Sequence, residues 1–175
     1  DCMKLLVTGG LGFIGSNFIL KLLRERNDFE IVNVDAELYG ADRRNLSEIQ
    51  NHEKYEFVKG NITNKRLMEE IISKCDAVVN FAAESFVDRS ISDANPFLVS
   101  NIRGAFTILD IVTKQKKRMV QISTDEVFGS LSSGTATEES KLNPSSPYAA
   151  TKAAAELLIN SYCVTYGSDV IITRC

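Results

Sequence analysis

The sequence has a single histidine, His52, which lies in a polar segment at residues 50–54. A histidine-based catalytic triad and a metal site with several histidine ligands are therefore nearly excluded. The chain has four cysteines, scattered without the paired spacing of zinc ligands: Cys2, Cys75, Cys163 and Cys175. We expect no metal, and any acid/base chemistry must then come from carboxylates, tyrosine or lysine.

The sequence also lacks an excess of positive charge and a long apolar run. Its net charge of −3 argues against nucleic acid as the main partner. No apolar stretch approaches the ~20 residues of a membrane span and no signal peptide is recognised, so we expect no membrane partner. Scattered cysteines are typical of free thiols in a reducing compartment, which predicts a cytoplasmic protein. At 175 residues, the chain suits one domain, and Asp1 and Cys2 before Met3 are interpreted as a cloning remnant.

A glycine-rich turn joins the first predicted strand to the first predicted helix. The strand covers residues 4–8, and the glycines are Gly9, Gly10, Gly12 and Gly15. An amphipathic helix follows over about 13–26, with an apolar face formed by Ile14, Phe18, Leu22 and Leu23. A second strand, residues 30–35, ends in an acid, Asp35. This order is typical of dinucleotide binding, in which glycines allow close approach of a pyrophosphate and helix N–H groups, here those of Phe13 and Ile14, face the phosphates. The alternative is a bare turn, which the flanking elements make less favourable.

Asp35 lies 20 residues after Gly15, the position from which a carboxylate binds adenosine ribose hydroxyls. A 2′-phosphate would be repelled there, so the sequence predicts NAD rather than NADP. Arg43 and Arg44 lie further along the chain and slightly weaken this prediction.

The alternation of strands and helices continues to the end of the sequence. Strands are predicted at 55–58, 77–83, 119–122 and 170–173, helices at about 65–74, 96–114 and 147–166, and loops at 84–95 and 130–146. Alternating units of this kind predict an α/β fold, a doubly wound parallel sheet of Rossmann type. Ligands bind such sheets at the carboxyl ends of the strands, where the glycines, Asp35, Ala83 and Thr124 all fall.

The fifth predicted strand ends in Thr124, Asp125 and Glu126. Because side chains alternate along a strand, all three can serve one pocket only if the backbone leaves the extended conformation near Asp125. Gly129 permits that change. The alternative is an ordinary acidic strand end that leads into a loop.

The last predicted helix begins with Ser146 as its cap and Pro147 in its first turn. Tyr148 and Lys152 are four residues apart, so their side chains share one helix face. A nearby ammonium and the helix N-terminus both favour tyrosinate, which predicts a lowered pKa for Tyr148 and a general base without histidine. The alternative is an ordinary surface pair at helical spacing.

The glycine turn together with Tyr148 and Lys152 resembles the extended short-chain dehydrogenase/reductases. Within that group, residues 82–91, 123–129 and 144–148 look like the dTDP-glucose 4,6-dehydratase family. The resemblance implies NAD as cofactor and a redox-neutral reaction that turns a dTDP-glucose substrate into a 4-keto-6-deoxy sugar. It implies that Tyr148, with Lys152 and Thr124, takes the O4 proton, while Glu126 removes the C5 proton and Asp125 protonates the departing C6 hydroxyl.

The resemblance also implies the binding residues. Cofactor contacts are expected at Gly9, Gly12, Phe13, Ile14, Gly15, Asp35, Asn61, Ile62, Ala82, Ala83, Ser85, Ser100, Tyr148 and Lys152, and sugar contacts at Ser85 and Thr124. Three residues depart from the family pattern: Phe86 replaces a usual histidine, Phe128 a usual tyrosine and Asn61 a usual aspartate.

The family's chains are roughly twice as long as this one, consistent with a separate substrate lobe. We therefore expect residues 3–175 to be the NAD-binding domain, with most of the C-terminal substrate lobe absent. The helices at 96–114 and 147–166 resemble the pair that forms a dimer interface in the group, which predicts a homodimer; alternatively they only cover the sheet. Other functions left open are UDP-glucose 4,6-dehydratase, a 4-epimerase and a non-catalytic NAD-binding module.

Overall fold

The computed structural model describes residues 2–131 and 133–175, so Asp1 of the interpreted remnant and Ser132 of the predicted loop lie outside it. Its centre is a six-stranded sheet in the order β3-β2-β1-β4-β5-β6, and every neighbouring pair is parallel. The strands are β1 (Met3–Thr8), β2 (Phe29–Asp35), β3 (Tyr55–Lys59), β4 (Ala77–Asn80), β5 (Arg118–Ser123) and β6 (Val170–Arg174). The order reverses direction between β1 and β4, which is where doubly wound sheets bind ligands. The predicted fold class is confirmed.

Helices lie between successive strands. They are α1 (Phe13–Glu25), α2 (Lys65–Ser73), α3 (Val87–Ser92), α4 (Asn95–Phe97), α5 (Ala105–Gln115) and α6 (Pro147–Tyr166), with short 3₁₀-helices at Arg43–Ile49 and Asp125–Phe128. Within the described ranges, no helix combines the length and apolarity needed to cross a membrane.

Two apolar clusters form the core. One contains Leu6, Val34, Met68 and Ile108. The other contains residues from β1, the glycine turn, α1, β2 and the first 3₁₀-helix: Val7, Leu11, Ile19, Leu23, Ile31, Leu46 and Ile49. Leu6 and Val7 are adjacent in β1 and belong to different clusters, because successive strand residues point to opposite faces. The sheet is thus buried on both faces, as parallel sheets are.

The inward face of α1 differs from its prediction. Ile19 is fully buried, whereas Ile14, predicted to face inward, is about half exposed. Ile14 lies in the first turn, at the carboxyl edge of the sheet, where the surface is a cavity wall instead of the core. Apolar spacing alone does not distinguish these two environments.

Two further differences concern the segment after β4. The predicted loop at 84–95 contains α3, which is too short for apolar periodicity to reveal, and the predicted helix at 96–114 contains a π-helical stretch at Leu98–Gly104. The π stretch carries Asn101, whose buried side chain bonds both backbone groups of Glu84, at 2.9 Å each, and the Thr151 hydroxyl at 3.0 Å. A π turn changes which residues face inward, and π turns are frequent at functional sites.

Candidate functional site

A cavity of about 390 Å³ opens at the carboxyl ends of β1, β2, β4 and β5. Every residue predicted to contact a cofactor lies in its wall, together with the predicted sugar contact Thr124: Gly9, Gly12, Phe13, Ile14, Gly15, Asp35, Asn61, Ile62, Ala82, Ala83, Ser85, Ser100, Tyr148 and Lys152. The fold therefore brings together residues that are up to 143 positions apart, from Gly9 to Lys152. Their individual roles stay predictions.

The glycines of the first turn meet different steric demands. Gly9 has a φ of +72°, and a Cβ there would lie 2.6 Å from the backbone of Ala82. A Cβ on Gly15 would lie 2.5 Å from the carbonyl oxygen of Gly9, whereas one on Gly12 would meet only that same oxygen, at 3.4 Å. Gly9 and Gly15 are thus required by packing, and Gly12 leaves room at the start of α1. This arrangement fits a phosphate held against the first turn of the helix.

Asp35 is fixed at the end of β2. Its two carboxylate oxygens accept from the backbone N–H groups of Leu11, at 3.0 Å, and Glu37, at 2.8 Å. Burial raises the pKa of Asp35, although these two hydrogen bonds oppose the rise. The geometry fits a carboxylate that faces ribose hydroxyls.

The cations near Asp35 are already paired with acids. Glu37 forms ion pairs with Arg43 and, at 2.8 Å, with Lys59, and Arg44 pairs with Asp42 at 2.6 Å. Hydrogen bonds from Arg43 and Lys59 lower the pKa of Glu37 to about 2. The arginines that weakened the prediction of NAD are therefore engaged with carboxylates.

Asn61, which replaces an aspartate, also uses its side chain locally. Its Oδ1 accepts from the backbone N–H of Thr63, at 3.0 Å, and from the Thr63 hydroxyl, at 2.8 Å. These bonds hold the turn before α2, and Asn61 lies in the cavity wall.

The chain leaves the extended conformation directly after Thr124, as a shared pocket requires. Thr124 caps the 3₁₀-helix Asp125–Phe128: its hydroxyl accepts from the N–H of Glu126, at 3.2 Å, and donates to Asp125 at 3.4 Å. The helix ends at Gly129, with a φ of +72°, where a Cβ would lie 2.1 Å from the carbonyl oxygen of Asn143. A side chain at 129 is therefore incompatible with this turn.

Asp125 and Glu126 lie beside the cavity and not in its wall. Both side chains are exposed, whereas Thr124 is buried and lines the cavity. The negative charges of the two acids nevertheless act on Tyr148, since both raise the pKa of its phenol. The predicted convergence is therefore partial: hydroxyl, phenol and ammonium share the wall, and the acid pair flanks it.

The predicted lowering of the Tyr148 pKa is wrong for this chain without ligands. Burial of the phenol raises its pKa, which the Thr124 side chain opposes. Helical spacing does place Tyr148 and Lys152 in one wall, but the Lys152 ammonium donates to the carbonyl oxygen of Ile122, at 2.6 Å. Lys152 is 5% exposed, and burial lowers its pKa to about 8.

Sequence reasoning missed three supporting residues. Asn101 ties the loop after β4 to α6, Glu84 forms a 3.0 Å ion pair with Arg89, and Ser90 accepts from the backbone N–H of Tyr148 at 3.1 Å. The available signal for Asn101 was a polar residue within an apolar helical stripe. Ser90 gives no comparable signal, because its partner Tyr148 is 58 positions away. The pairing of Glu84 with Arg89, five positions on, depends on the conformation of the segment between them.

Comparisons with known proteins find a family model and several relatives that match nearly the whole chain. The family model described as GDP-mannose 4,6 dehydratase matches residues 6–175. Over 173 residues, the chain is 46% identical to the low-salt glycan biosynthesis protein Agl12 of Haloferax volcanii, covering 98% of this chain and 56% of that protein. It is 42% identical over 176 residues to a dTDP-glucose 4,6-dehydratase of Mycobacterium tuberculosis, covering 99% of this chain and 53% of that one.

A solved structure is similarly close. The crystal structure of DesIV, a dTDP-glucose 4,6-dehydratase from Streptomyces venezuelae with NAD bound, has a TM-score of 0.95 and 45% sequence identity. The alignment covers 99% of this chain and 55% of that one. The chain spans about half the length of the curated relatives it matches.

The buried Lys152 makes stability depend on pH. Its folded-state pKa of about 8 lies below the unfolded value of 10.5, so the ammonium destabilises the fold fully below about pH 8 and this penalty disappears as pH rises toward 10.5. Relative to Lys152→Met, the unsubstituted protein is expected to gain at most about 1.4 kcal/mol of stability per pH unit across that window. Urea unfolding of both proteins from pH 7 to 10 measures the difference. Parallel pH curves would contradict the assignment.

Proposed function

Because this chain belongs to the GDP-mannose 4,6 dehydratase family, within the extended short-chain dehydrogenase/reductases, we propose that residues 3–175 are the cofactor-binding domain of an NAD-dependent dTDP-glucose 4,6-dehydratase. One observation supports the proposal: the Thr124, Asp125 and Glu126 triplet directly follows β5 and lies near the Tyr148 and Lys152 pair of α6, at a cavity whose wall also contains the glycine turn and Asp35. The substrate is a nucleotide sugar, and the product is its 4-keto-6-deoxy form.

The first half of the cavity wall fits the cofactor. The open space at Gly12 and the first turn of α1 would receive the pyrophosphate, and the Asp35 carboxylate would receive the adenosine ribose. When bound there, NAD would supply hydride acceptance and hydride donation at the sugar. The protein itself supplies position, charge and proton transfer.

Proton transfer at O4 is assigned to Tyr148. Its raised pKa means that the phenol is protonated at neutral pH and must lose its proton before it can take one from O4. The Thr124 side chain stabilises the anion. An ammonium close to the phenol would also favour it, and Lys152 lies in the same cavity wall. Thr124 and Ser85 lie in the cavity wall where a sugar would contact them.

The dehydration step is assigned to the acid pair. A ketone at C4 acidifies the C5–H bond, so Glu126 would remove that proton while Asp125 protonates the departing C6 hydroxyl. One carboxyl must be protonated and its neighbour ionised. A bound sugar would exclude water from these exposed side chains.

Product analysis of the full-length protein tests the proposal. Incubation with dTDP-glucose is expected to give a 4-keto-6-deoxy sugar, detected by mass spectrometry. Tyr148→Phe should lower turnover by about 10²–10⁴-fold, the usual contribution of a general base. Tyr166→Phe, at the exposed end of the same helix, is the matched control and should retain activity.

Other products would contradict the proposal and indicate a different activity. A galactose-type product indicates a 4-epimerase, and dehydration of UDP-glucose alone indicates a different nucleotide specificity. Unchanged biological output in the Tyr148→Phe variant would support a non-catalytic NAD-binding module.

Cofactor preference gives a separate prediction. In Glu37→Gln, Arg43 and Lys59 lose their carboxylate partner beside Asp35 and become available to a 2′-phosphate. The ratio of the NADP and NAD dissociation constants is expected to fall by about tenfold, the strength of a charge-assisted hydrogen bond. Glu48→Gln, which releases Arg24 away from the cavity, is the control. Titration calorimetry measures both constants, and an unchanged ratio in Glu37→Gln would reject the explanation.

A homodimer is also proposed. α5 and α6 pack together and leave apolar side chains outside: Phe106 on α5, and Leu157 and Val164, seven residues apart, on one face of α6. Sedimentation of the full-length protein is expected to give a dimer at micromolar concentration, and Val164→Glu should dissociate it. A monomer before substitution would refute the proposal.

A cytoplasmic location is proposed on the cysteines. All four are free thiols, as is typical of a reducing compartment, and one of them, Cys75, is buried. Cell fractionation tests this, and recovery outside the cytoplasm would overturn it.

A further inference from the structure

Two aromatic side chains join opposite walls of the cavity. Tyr39 follows β2 and Phe86 follows β4, the two strands on either side of β1. Their ring centroids are 4.9 Å apart with an interplanar angle of 81°, an edge-to-face contact. Both side chains line the cavity, so their contact links two walls that the glycine turn separates.

The loop that carries Tyr39 is shaped for this contact. Gly40 has a φ of +86°, and a Cβ there would lie 3.3 Å from the Phe86 ring. A larger residue at position 40 would therefore combine backbone strain with a tight contact against Phe86. The turn at Gly40 thus brings the Tyr39 loop close to the Phe86 ring.

Arg89 holds the Tyr39 ring of this pair in position. The Arg89 guanidinium lies 4.1 Å from the centre of the Tyr39 ring, and its Nη1 forms a 3.0 Å ion pair with Glu84. Glu84 is 6% exposed, and Asn101 of the π-helical stretch bonds both of its backbone groups. A chain of contacts thus connects Tyr39 to the helix that supports the cavity.

The aromatic pair nevertheless keeps much of its surface free, since Tyr39 is 63% and Phe86 45% exposed. Isolated exposed aromatics need no explanation, but these two touch each other and both face a cavity. Burial of their remaining apolar surface against a bound molecule would be favourable.

We propose that Tyr39 and Phe86 form an aromatic clasp that slows release of the bound dinucleotide. This inference rests on the proposed function. A redox-neutral dehydratase returns its cofactor to the starting form in every cycle, so turnover requires no exchange of cofactor. Slow release then leaves the catalytic rate unaffected and prevents loss of the reduced form between the two halves of the reaction.

The experiment measures release of NADH from the full-length protein. A complex with NADH is mixed with excess NAD, and the fluorescence of NADH reports its dissociation rate. Tyr39→Ala and Phe86→Ala should each raise that rate by about tenfold, the upper range for an aromatic pair. The double variant should release no faster than the single ones, since either change breaks the same contact. Tyr39→Phe keeps the ring and is the matched control, with an unchanged rate expected.

The outcomes separate the two hypotheses. If NADH binds and the alanine variants release it at the original rate, the clasp is wrong and the proposed cofactor stands. If NADH does not bind to the unsubstituted protein, the proposed function itself fails, and the clasp with it. Phe86→Leu covers the case in which an alanine variant does not fold, because it keeps apolar volume and removes the ring; an unchanged rate in that variant also overturns the clasp.

Discussion

The buried hydrogen bond from Lys152 to the carbonyl oxygen of Ile122 joins helix α6 to the end of strand β5. One helical turn later, the fully buried Glu156 accepts from the Ser123 hydroxyl and forms a 2.7 Å ion pair with Arg174 of β6. Two consecutive residues of β5 are thus fixed by two residues on one face of α6. An ammonium and a carboxylate removed from water hold their positions only when such partners are present. The placement of Tyr148 opposite Thr124 follows from this attachment.

The same attachment explains why the acid pair lies where it does. Because Ser123 is held, the chain can turn at Thr124 into a 3₁₀-helix, which carries Asp125 and Glu126 outward and buries Val127 beneath them. Phe128, which replaces a tyrosine of the related family, packs its ring 4.9 Å from the Arg174 guanidinium. The aromatic ring therefore retains a role in holding this turn without a hydroxyl.

Sequence reasoning succeeded where local pattern determines structure. The bounds of α6 and its cap at Ser146 were predicted correctly, since capping and proline preferences act within a few residues. The parallel sheet followed from strands and helices in alternation. The glycine turn and Asp35 were singled out because a dinucleotide site fixes both residue type and spacing. The structure places them in the wall of one cavity, and their roles stay predictions.

Sequence reasoning failed where tertiary contacts determine the local structure or a pKa. The pKa of Tyr148 depends on burial and on the charges of Asp125 and Glu126, which its spacing from Lys152 does not reveal. Asn101 of the π-helical stretch forms hydrogen bonds with Glu84 and Thr151, which are 17 and 50 positions away. The pairing of Arg43 with Glu37 is local, six positions apart, but it depends on the conformation of the turn between them, which the sequence pattern did not show.

The central claim is that phenol, hydroxyl and the two carboxyls act on one hexose. A crystal structure of the full-length protein with NAD and dTDP-glucose tests this most directly. The account predicts the sugar's O4 within hydrogen-bond distance of the Tyr148 and Thr124 hydroxyls, with the Glu126 and Asp125 carboxyls facing C5 and the C6 hydroxyl. A bound sugar that leaves both carboxyls directed into solvent would contradict the dehydration mechanism.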